Sequence, residues 1–114
     1  MKPRKPTGRS ASKRFEVRRS PIHGQGVFAL ERLSVGDFIG RFAGRRTDVD
    51  TDHTLWVEHA NGPRGYLGTG RLRHLNHSSR PNAEFDDRDL FAIRSIKPGD
   101  EITFDYGEEW DDVP

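Results

Sequence analysis

The chain has 114 residues, of which 32% are hydrophobic and 32% are charged, and its formal net charge is +1. This length fits one small domain with a modest core, and the lack of cysteine excludes disulfides and thiolate zinc clusters. No apolar run approaches the length of a membrane span, and no hydrophobic segment follows the N-terminal charges. The sequence therefore predicts an intracellular protein that does not contact a membrane.

The charges are distributed unevenly along the chain. Residues 1–14 contain six cations and no acid, with proline, glycine and serine between them, which predicts a disordered basic arm. Residues 111–114 form an acidic C-terminal end. The arm has two interpretations: it binds nucleic acid or another acidic partner, or it is a solubilising tail.

Short apolar or alternating segments predict strands along the rest of the chain. These segments are 15–18, 27–30, 38–42, 54–59, 83–85, 90–93 and 101–106. Residues 86–89 have turn composition, so the strands beside them are expected to form a hairpin. Only residues 70–76 have helical character, for about two turns at most. The predicted fold class is mainly β, with several short-stranded sheets and at most one or two short helices.

Segments 27–39 and 90–102 share one pattern. Phe, Ala, Gly, Asp and Ile recur in register, and each segment predicts a strand, a loop with an apolar residue, a Gly-Asp turn and a second strand. Duplication of one unit explains the similarity, and so does convergence of two strand–turn–strand units. Two copies are too few for a stacked repeat protein.

Three polar motifs lie beside the predicted strands. The first is His23-Gly24-Gln25-Gly26, whose glycines allow positive φ and close backbone approach to a ligand. It lacks the third glycine and the following helix of a dinucleotide site. The second motif runs from Asn76 to Asn82 and contains amide and imidazole groups that need partners when buried. Such a cluster either binds a polar ligand or holds crossing loops together.

The third motif is the last predicted strand, 101–106, which ends in Tyr106 before a glycine. Alternation places Ile102, Phe104 and Tyr106 on one face. Taken alone, these aromatic residues are also consistent with ordinary strand core. The histidines show no recognised metal-ligand spacing, so no metal site is predicted.

In this order the three motifs resemble those of the SET-domain protein lysine methyltransferases, and the resemblance covers residues 15–110. It implies a SET domain in which segment 76–82 is threaded through a neighbouring loop as a pseudoknot. Many SET domains are followed by a cysteine-rich zinc segment, which a chain without cysteine cannot form.

The resemblance also implies a reaction and its residues. S-adenosylmethionine is the implied cofactor, and the implied substrate is a lysine amine of a protein or peptide, such as a histone or another basic protein. Tyr106 matches the catalytic tyrosine. The implied cofactor-binding residues are His23, Gly24, Gln25, Gly26, Asn76, His77 and Trp110. The implied substrate-channel residues are Trp56, Tyr66 and Phe104.

Some points stay open at this level. Trp110 either closes the site or packs on the surface, and Thr54 stands near the position where many relatives have a channel tyrosine. The alternative functions are a catalytically inactive SET-fold binding module and a nucleic-acid-binding protein that acts through its basic arm. A small core without a zinc segment favours a homodimer. The expected location is the cytoplasm in a bacterium, or the nucleus if the substrate is eukaryotic chromatin.

Overall fold

A computed structural model describes residues 14–105, and the residues before and after this range lie outside the description. The described chain forms short strands that alternate with turns. The strands are β1 (Phe15–Arg19), β2 (Gln25–Ala29), β3 (Phe38–Arg41), β4 (Gly44–Thr47), β5 (Thr54–Val57), β6 (Arg64–Gly68), β7 (Asn76–His77), β8 (Ala83–Asp86), β9 (Asp89–Ala92) and β10 (Glu101–Phe104). A one-turn 3-10 helix covers Arg71–His74. The mainly β class is confirmed.

The strands form three small sheets, in the orders β1-β2-β10-β7, β3-β9-β8 and β4-β6-β5. In the first sheet β10 pairs antiparallel with β2 and parallel with β7. The predicted hairpin is β8 and β9, whose turn is tightened by Asp87 at a φ of 57°. Within the described range, no helix is long and apolar enough to cross a bilayer.

The two-residue strand β7 was not predicted, and neither were the longer strands β4 and β6. Their sequences, Gly-Arg-Arg-Thr and Arg-Gly-Tyr-Leu-Gly, lack apolar alternation because close backbone packing takes the place of side chains. A Cβ at Gly65 would lie 2.6 Å from the carbonyl oxygen of Thr47 and 2.9 Å from the Trp56 ring. A glycine that permits such an approach weakens the strand pattern in the sequence. The predicted helix at 70–76 is also shorter than expected, because β7 begins at Asn76 and pairs with β10.

The two similar segments exchange hydrogen bonds with each other. The Ala29 N–H donates to the Asp100 carbonyl at 2.9 Å, and the Gly99 N–H donates to the Ala29 carbonyl at 2.8 Å. The other copy repeats this arrangement with Ala92, Asp37 and Gly36, at 2.9 and 2.7 Å. Gly36 and Gly99 have φ values of 92° and 90°, which favour glycine. Each segment therefore closes the turn of the other.

Leu33 and Ile96 lie where the two segments meet. Their backbones exchange two hydrogen bonds of 2.9 Å, and both side chains are fully buried. These are the apolar loop residues that the repeated pattern predicted. They join strands of the first and second sheets in one core cluster that also contains Val27, Leu90 and Ile102.

Ile96→Ala is expected to lower the free energy of unfolding by about 2–5 kcal/mol, because truncation leaves a cavity that a close-packed core cannot fill. Ile96→Val should lower it by about 0.5–1.5 kcal/mol. Val35, which is 69% exposed, provides the control. Val35→Ala should change the free energy of unfolding by about 0.5 kcal/mol or less. Urea denaturation measures all three. Equal effects of Ile96→Ala and Val35→Ala would contradict the packing described above.

Candidate active site

Asn76 joins the first polar motif to the last strand. Its side-chain nitrogen donates to the carbonyl oxygens of His23 at 3.0 Å and Gln25 at 3.1 Å, and to Oε2 of Glu101 at 2.8 Å. All three partners are acceptors, which determines the orientation of the amide. The residue is buried, with 9% of its surface exposed. The two predicted cofactor motifs therefore meet at β10.

Glu101 is the centre of this junction. The Ser20 hydroxyl lies 2.8 and 2.9 Å from its two carboxylate oxygens. Ser20 Oγ in turn accepts the N–H of Ile22 at 2.9 Å, and the Ser20 N–H donates to the Gly24 carbonyl at 2.7 Å. Neither Ser20 nor Glu101 was predicted from the sequence to be a site residue. The available signals were a serine before a Pro-containing turn and an acid at the start of the last strand.

The two glycines of the first motif have different functions in the fold. Gly26 is buried, and a Cβ there would overlap the Glu101 carboxylate and lie 2.9 Å from Ser20 Cβ. Gly24 has a φ of 45° and is exposed, and a Cβ there would have no neighbour within 4 Å. Gly26 therefore permits close packing against Glu101, and Gly24 permits the turn.

The segment that follows Asn76 is fastened along β10. The Ser78 N–H donates to the Phe104 carbonyl at 3.1 Å. Asn82 donates from its amide nitrogen to the Glu101 carbonyl at 2.8 Å and accepts the Thr103 N–H at 2.9 Å through its amide oxygen. Segment 76–82 therefore lies against β10 while Asn76 also holds the 23–25 turn. This crossing of chain segments corresponds to the predicted pseudoknot.

His77 continues the junction toward the end of β10. It is half-buried, pairs with Phe104 across the strands, and its Nδ1 lies 3.6 Å from Oδ1 of Asp105. Tyr106 and Trp110, the predicted catalytic and site-closing residues, lie outside the described range.

A cavity of about 470 Å³ lies beside the C-terminal end of β10, bordered by β5, β8 and the loop before β5. Its apolar lining includes Leu55, Phe85 and Phe104, and the rings of Phe85 and Phe104 meet edge to face at 5.1 Å. Trp56 and Thr54 also line it. Two of the three predicted channel residues, Trp56 and Phe104, thus border the same cavity.

Tyr66, the third predicted channel residue, lies elsewhere. It is 8% exposed in β6, with the guanidinium of Arg88 4.5 Å from its ring centre and that of Arg46 6.0 Å away. It is not among the described residues that line the cavity. A channel role for Tyr66 stays a prediction.

The histidines outside the junction form a pair near the 3-10 helix. The rings of His53 and His74 are 5.8 Å apart, and His53 Nδ1 lies 3.0 Å from the Arg73 carbonyl oxygen. Burial lowers the pKa of His74 below its usual value, with Arg73 and His53 acting in the same direction. In residues 14–105, no group of three or more histidine or acidic side chains is arranged to hold a metal.

Comparison with known proteins places these motifs in a family. The family model described as SET domain matches residues 24–107. Three similar proteins are MEDEA of Arabidopsis thaliana (29% identity over 83% of this chain), ASHH3 of the same plant (27% over 90%) and the H3 lysine-9 specific KMT1 of Fusarium mangiferae (28% over 81%). Each is named a histone-lysine N-methyltransferase. The chain spans only 17%, 34% and 39% of their respective lengths.

Solved structures give the same assignment for the fold. The methyltransferase domain of human histone-lysine N-methyltransferase SETMAR superposes with a TM-score of 0.70 at 24% identity, over 84% of this chain and 45% of that chain. The residues that the family model matches include Gly24, Gly26, Asn76 and the last strand. The chain therefore belongs to the SET domain family.

Proposed function

We propose that the chain transfers a methyl group from S-adenosylmethionine to a lysine side-chain amine of a protein. The main support is the position of β10, which carries Glu101 in the polar junction and Phe104 in the cavity wall. A ligand bound at the junction and one bound in the cavity would meet near the end of this strand. The names of the relatives support lysine in a protein as the acceptor.

The junction has the chemistry that S-adenosylmethionine needs. This molecule supplies an electrophilic methyl group on a cationic sulfonium, and it also carries an ammonium, a carboxylate and an adenine. The turn at 23–25 is exposed and is held in place by Asn76. The amide oxygen of Asn76 makes no hydrogen bond with a described residue, so it can accept one from an ammonium group. His77 adds a polar ring beside it.

The cavity suits the lysine side chain. A free lysine amine has a pKa of about 10.4, so it must lose its proton before its nitrogen can attack a methyl group. Phe104 is buried and packs against Phe85, which makes this part of the cavity apolar. Desolvation there and repulsion from the sulfonium both lower the lysine pKa. Aromatic faces also hold the alkyl chain in the line of attack.

Labelled cofactor provides the direct test of this proposal. The full chain would be incubated with methyl-labelled S-adenosylmethionine and the proteome of its source, and the labelled protein identified by mass spectrometry. We expect methyl-lysine in at least one protein, and loss of the label with the Tyr106→Phe variant. Cofactor binding without transfer to any protein would support an inactive binding module instead.

Phe104 is expected to allow more than one methyl per lysine, because it has no hydroxyl that could hold the amine or a water in one orientation. Phe104→Tyr should shift the product toward monomethyl-lysine. Phe91→Tyr adds the same hydroxyl to a ring that packs on Phe38 rather than at the cavity, and should leave the product unchanged. Mass spectrometry that finds only monomethyl-lysine from the native chain would contradict this prediction.

A further inference from the structure

The charged residues that line the cavity beside Phe104 are all acidic. Of its thirteen described lining residues four are acids, and none is arginine, lysine or histidine. The four acids are Asp50, Asp52, Glu84 and Asp105. The chain as a whole carries a net charge of +1, so this negative face is a local property. All four acids are exposed, while the apolar residues Leu55 and Phe104 are buried. The cavity thus has an acidic rim and an apolar interior.

Trp56 is a large aromatic residue on this rim. Its side chain is exposed, at 41% of its surface, but it is held from two sides. The indole N–H donates to Oδ1 of Asp50 at 3.0 Å, and the ring packs on the strand at Gly65. An aromatic ring beside a carboxylate attracts a cation through its face and through the charge. The ring and the carboxylate are already oriented, so a ligand would lose little entropy in ordering them.

Hydrogen bonds hold the loop that carries the two nearest acids. The hydroxyls of Thr51 and Thr54 are 2.9 Å apart, and Thr54 Oγ1 donates to the Val49 carbonyl at 3.0 Å. Asp50 and Asp52 flank Thr51 in this loop. Asp52 has no ion pair with any cation between residues 14 and 105. Its charge is therefore available to a ligand on the rim.

We infer that Trp56, Asp50 and Asp52 bind an arginine of the substrate peptide, a few residues from the lysine whose side chain enters the cavity. This inference rests on the proposed methyl transfer to a lysine. Arginine fits better than a second lysine, because its planar guanidinium stacks on an indole and bonds a carboxylate through two parallel N–H groups. The acids remain at the solvent-exposed rim, where water screens them, so they attract a basic segment without keeping the buried lysine charged.

Synthetic peptides test this assignment. Each peptide contains one central lysine in a Gly-Ser-Ala background, with a single arginine placed in turn at each of four positions on either side. The matched peptide has citrulline at that position, which keeps the shape of arginine and removes its charge. We expect one position at which arginine lowers KM, and the Kd of the peptide in fluorescence polarisation, by about tenfold relative to citrulline.

The variants locate the effect on the protein. Asp52→Asn and Trp56→Leu should each reduce the arginine-to-citrulline ratio toward one, whereas Trp56→Phe should retain part of it. Asp52→Arg should reverse the preference, so that glutamate is favoured at the same position. Glu31 is exposed and lies outside the cavity, and Glu31→Gln should keep the full ratio.

The two readouts separate this inference from the proposed reaction. Methyl transfer with equal KM for arginine and citrulline peptides at every position would overturn the arginine site and leave the activity intact. Tighter binding of the arginine peptide in fluorescence polarisation, without methyl transfer to any peptide or protein, would support the arginine site and overturn the proposed activity. A preference that survives Asp52→Asn and Trp56→Leu unchanged would place the arginine elsewhere and contradict the inference.

Discussion

Tyr106→Phe is expected to slow methyl transfer by about a hundred- to a thousandfold while cofactor binding stays nearly native. The substitution keeps the ring and removes only the hydroxyl. A polar group that stabilises the reacting methyl acts in the transition state more than in the ground state, so its loss lowers kcat rather than affinity. Loss of one such group has an effect of this size in other enzymes. Single-turnover rates and calorimetric cofactor titrations measure the two quantities.

Phe104→Leu is a useful comparison for that experiment. Phe104 is two residues before Tyr106 and lines the cavity. Its replacement should weaken substrate binding as well as change the rate, because it removes an aromatic surface. Tyr106→Phe should change the rate alone. Near-native turnover of Tyr106→Phe would show that the catalytic assignment is wrong, and Tyr66 would then be the next tyrosine to test.

Asn76→Ala is expected to weaken S-adenosylmethionine binding by about ten- to a hundredfold. Removal of the amide takes the donor from part-buried hydrogen bonds to His23, Gln25 and Glu101. Loss of one partner of such a bond costs about 1–3 kcal/mol, which corresponds to this change in affinity. The 23–25 turn then loses its two hydrogen bonds to Asn76 of β7. Calorimetric titration of the cofactor measures the affinity, and urea denaturation verifies that the variant is folded.

Two further variants distinguish this role from simple destabilisation. Asn76→Asp keeps the shape but places a carboxylate 2.8 Å from that of Glu101, so it should weaken binding at least as much as Asn76→Ala. Ser79 is exposed in the same segment, and Ser79→Ala should change cofactor affinity by about twofold or less. Unchanged affinity in a folded Asn76→Ala protein would remove Asn76 from the cofactor site.

Alternation and turn composition were sufficient to predict most strands. The segments at 15–18, 54–59 and 101–106 appear in β1, β5 and β10. β5 buries alternate residues, Leu55 and Val57, whereas β10 buries the three successive residues 102–104. β4 and β6 were not predicted, because glycines let their backbones pack closely where other strands bury side chains. A strand whose contacts are made by its backbone cannot be predicted from a pattern of apolar side chains.

The candidate site was likewise predicted only in part from the sequence. The motifs at 23–26, 76–82 and 101–106 could be recognised in the sequence, since each contains residue types that need a ligand or a partner. Trp56 and Phe104 were predicted to border the substrate and do line one cavity. Tyr66 was grouped with them by residue type; Arg88 lies over its ring, and its channel role stays a prediction. Residue type indicates what a side chain can do, and the chain path decides what it meets.

The sequence by itself determined the mainly β class, the family, the three polar motifs and the repeated strand–turn unit. Only the tertiary structure decided that Ser20 and Glu101, 81 positions apart, meet beside Asn76, and that the two repeats close each other's turns. It also decided that four acids from three separate segments form the rim of one cavity. Local patterns encode burial and backbone conformation, whereas contacts between distant residues depend on how the whole chain packs.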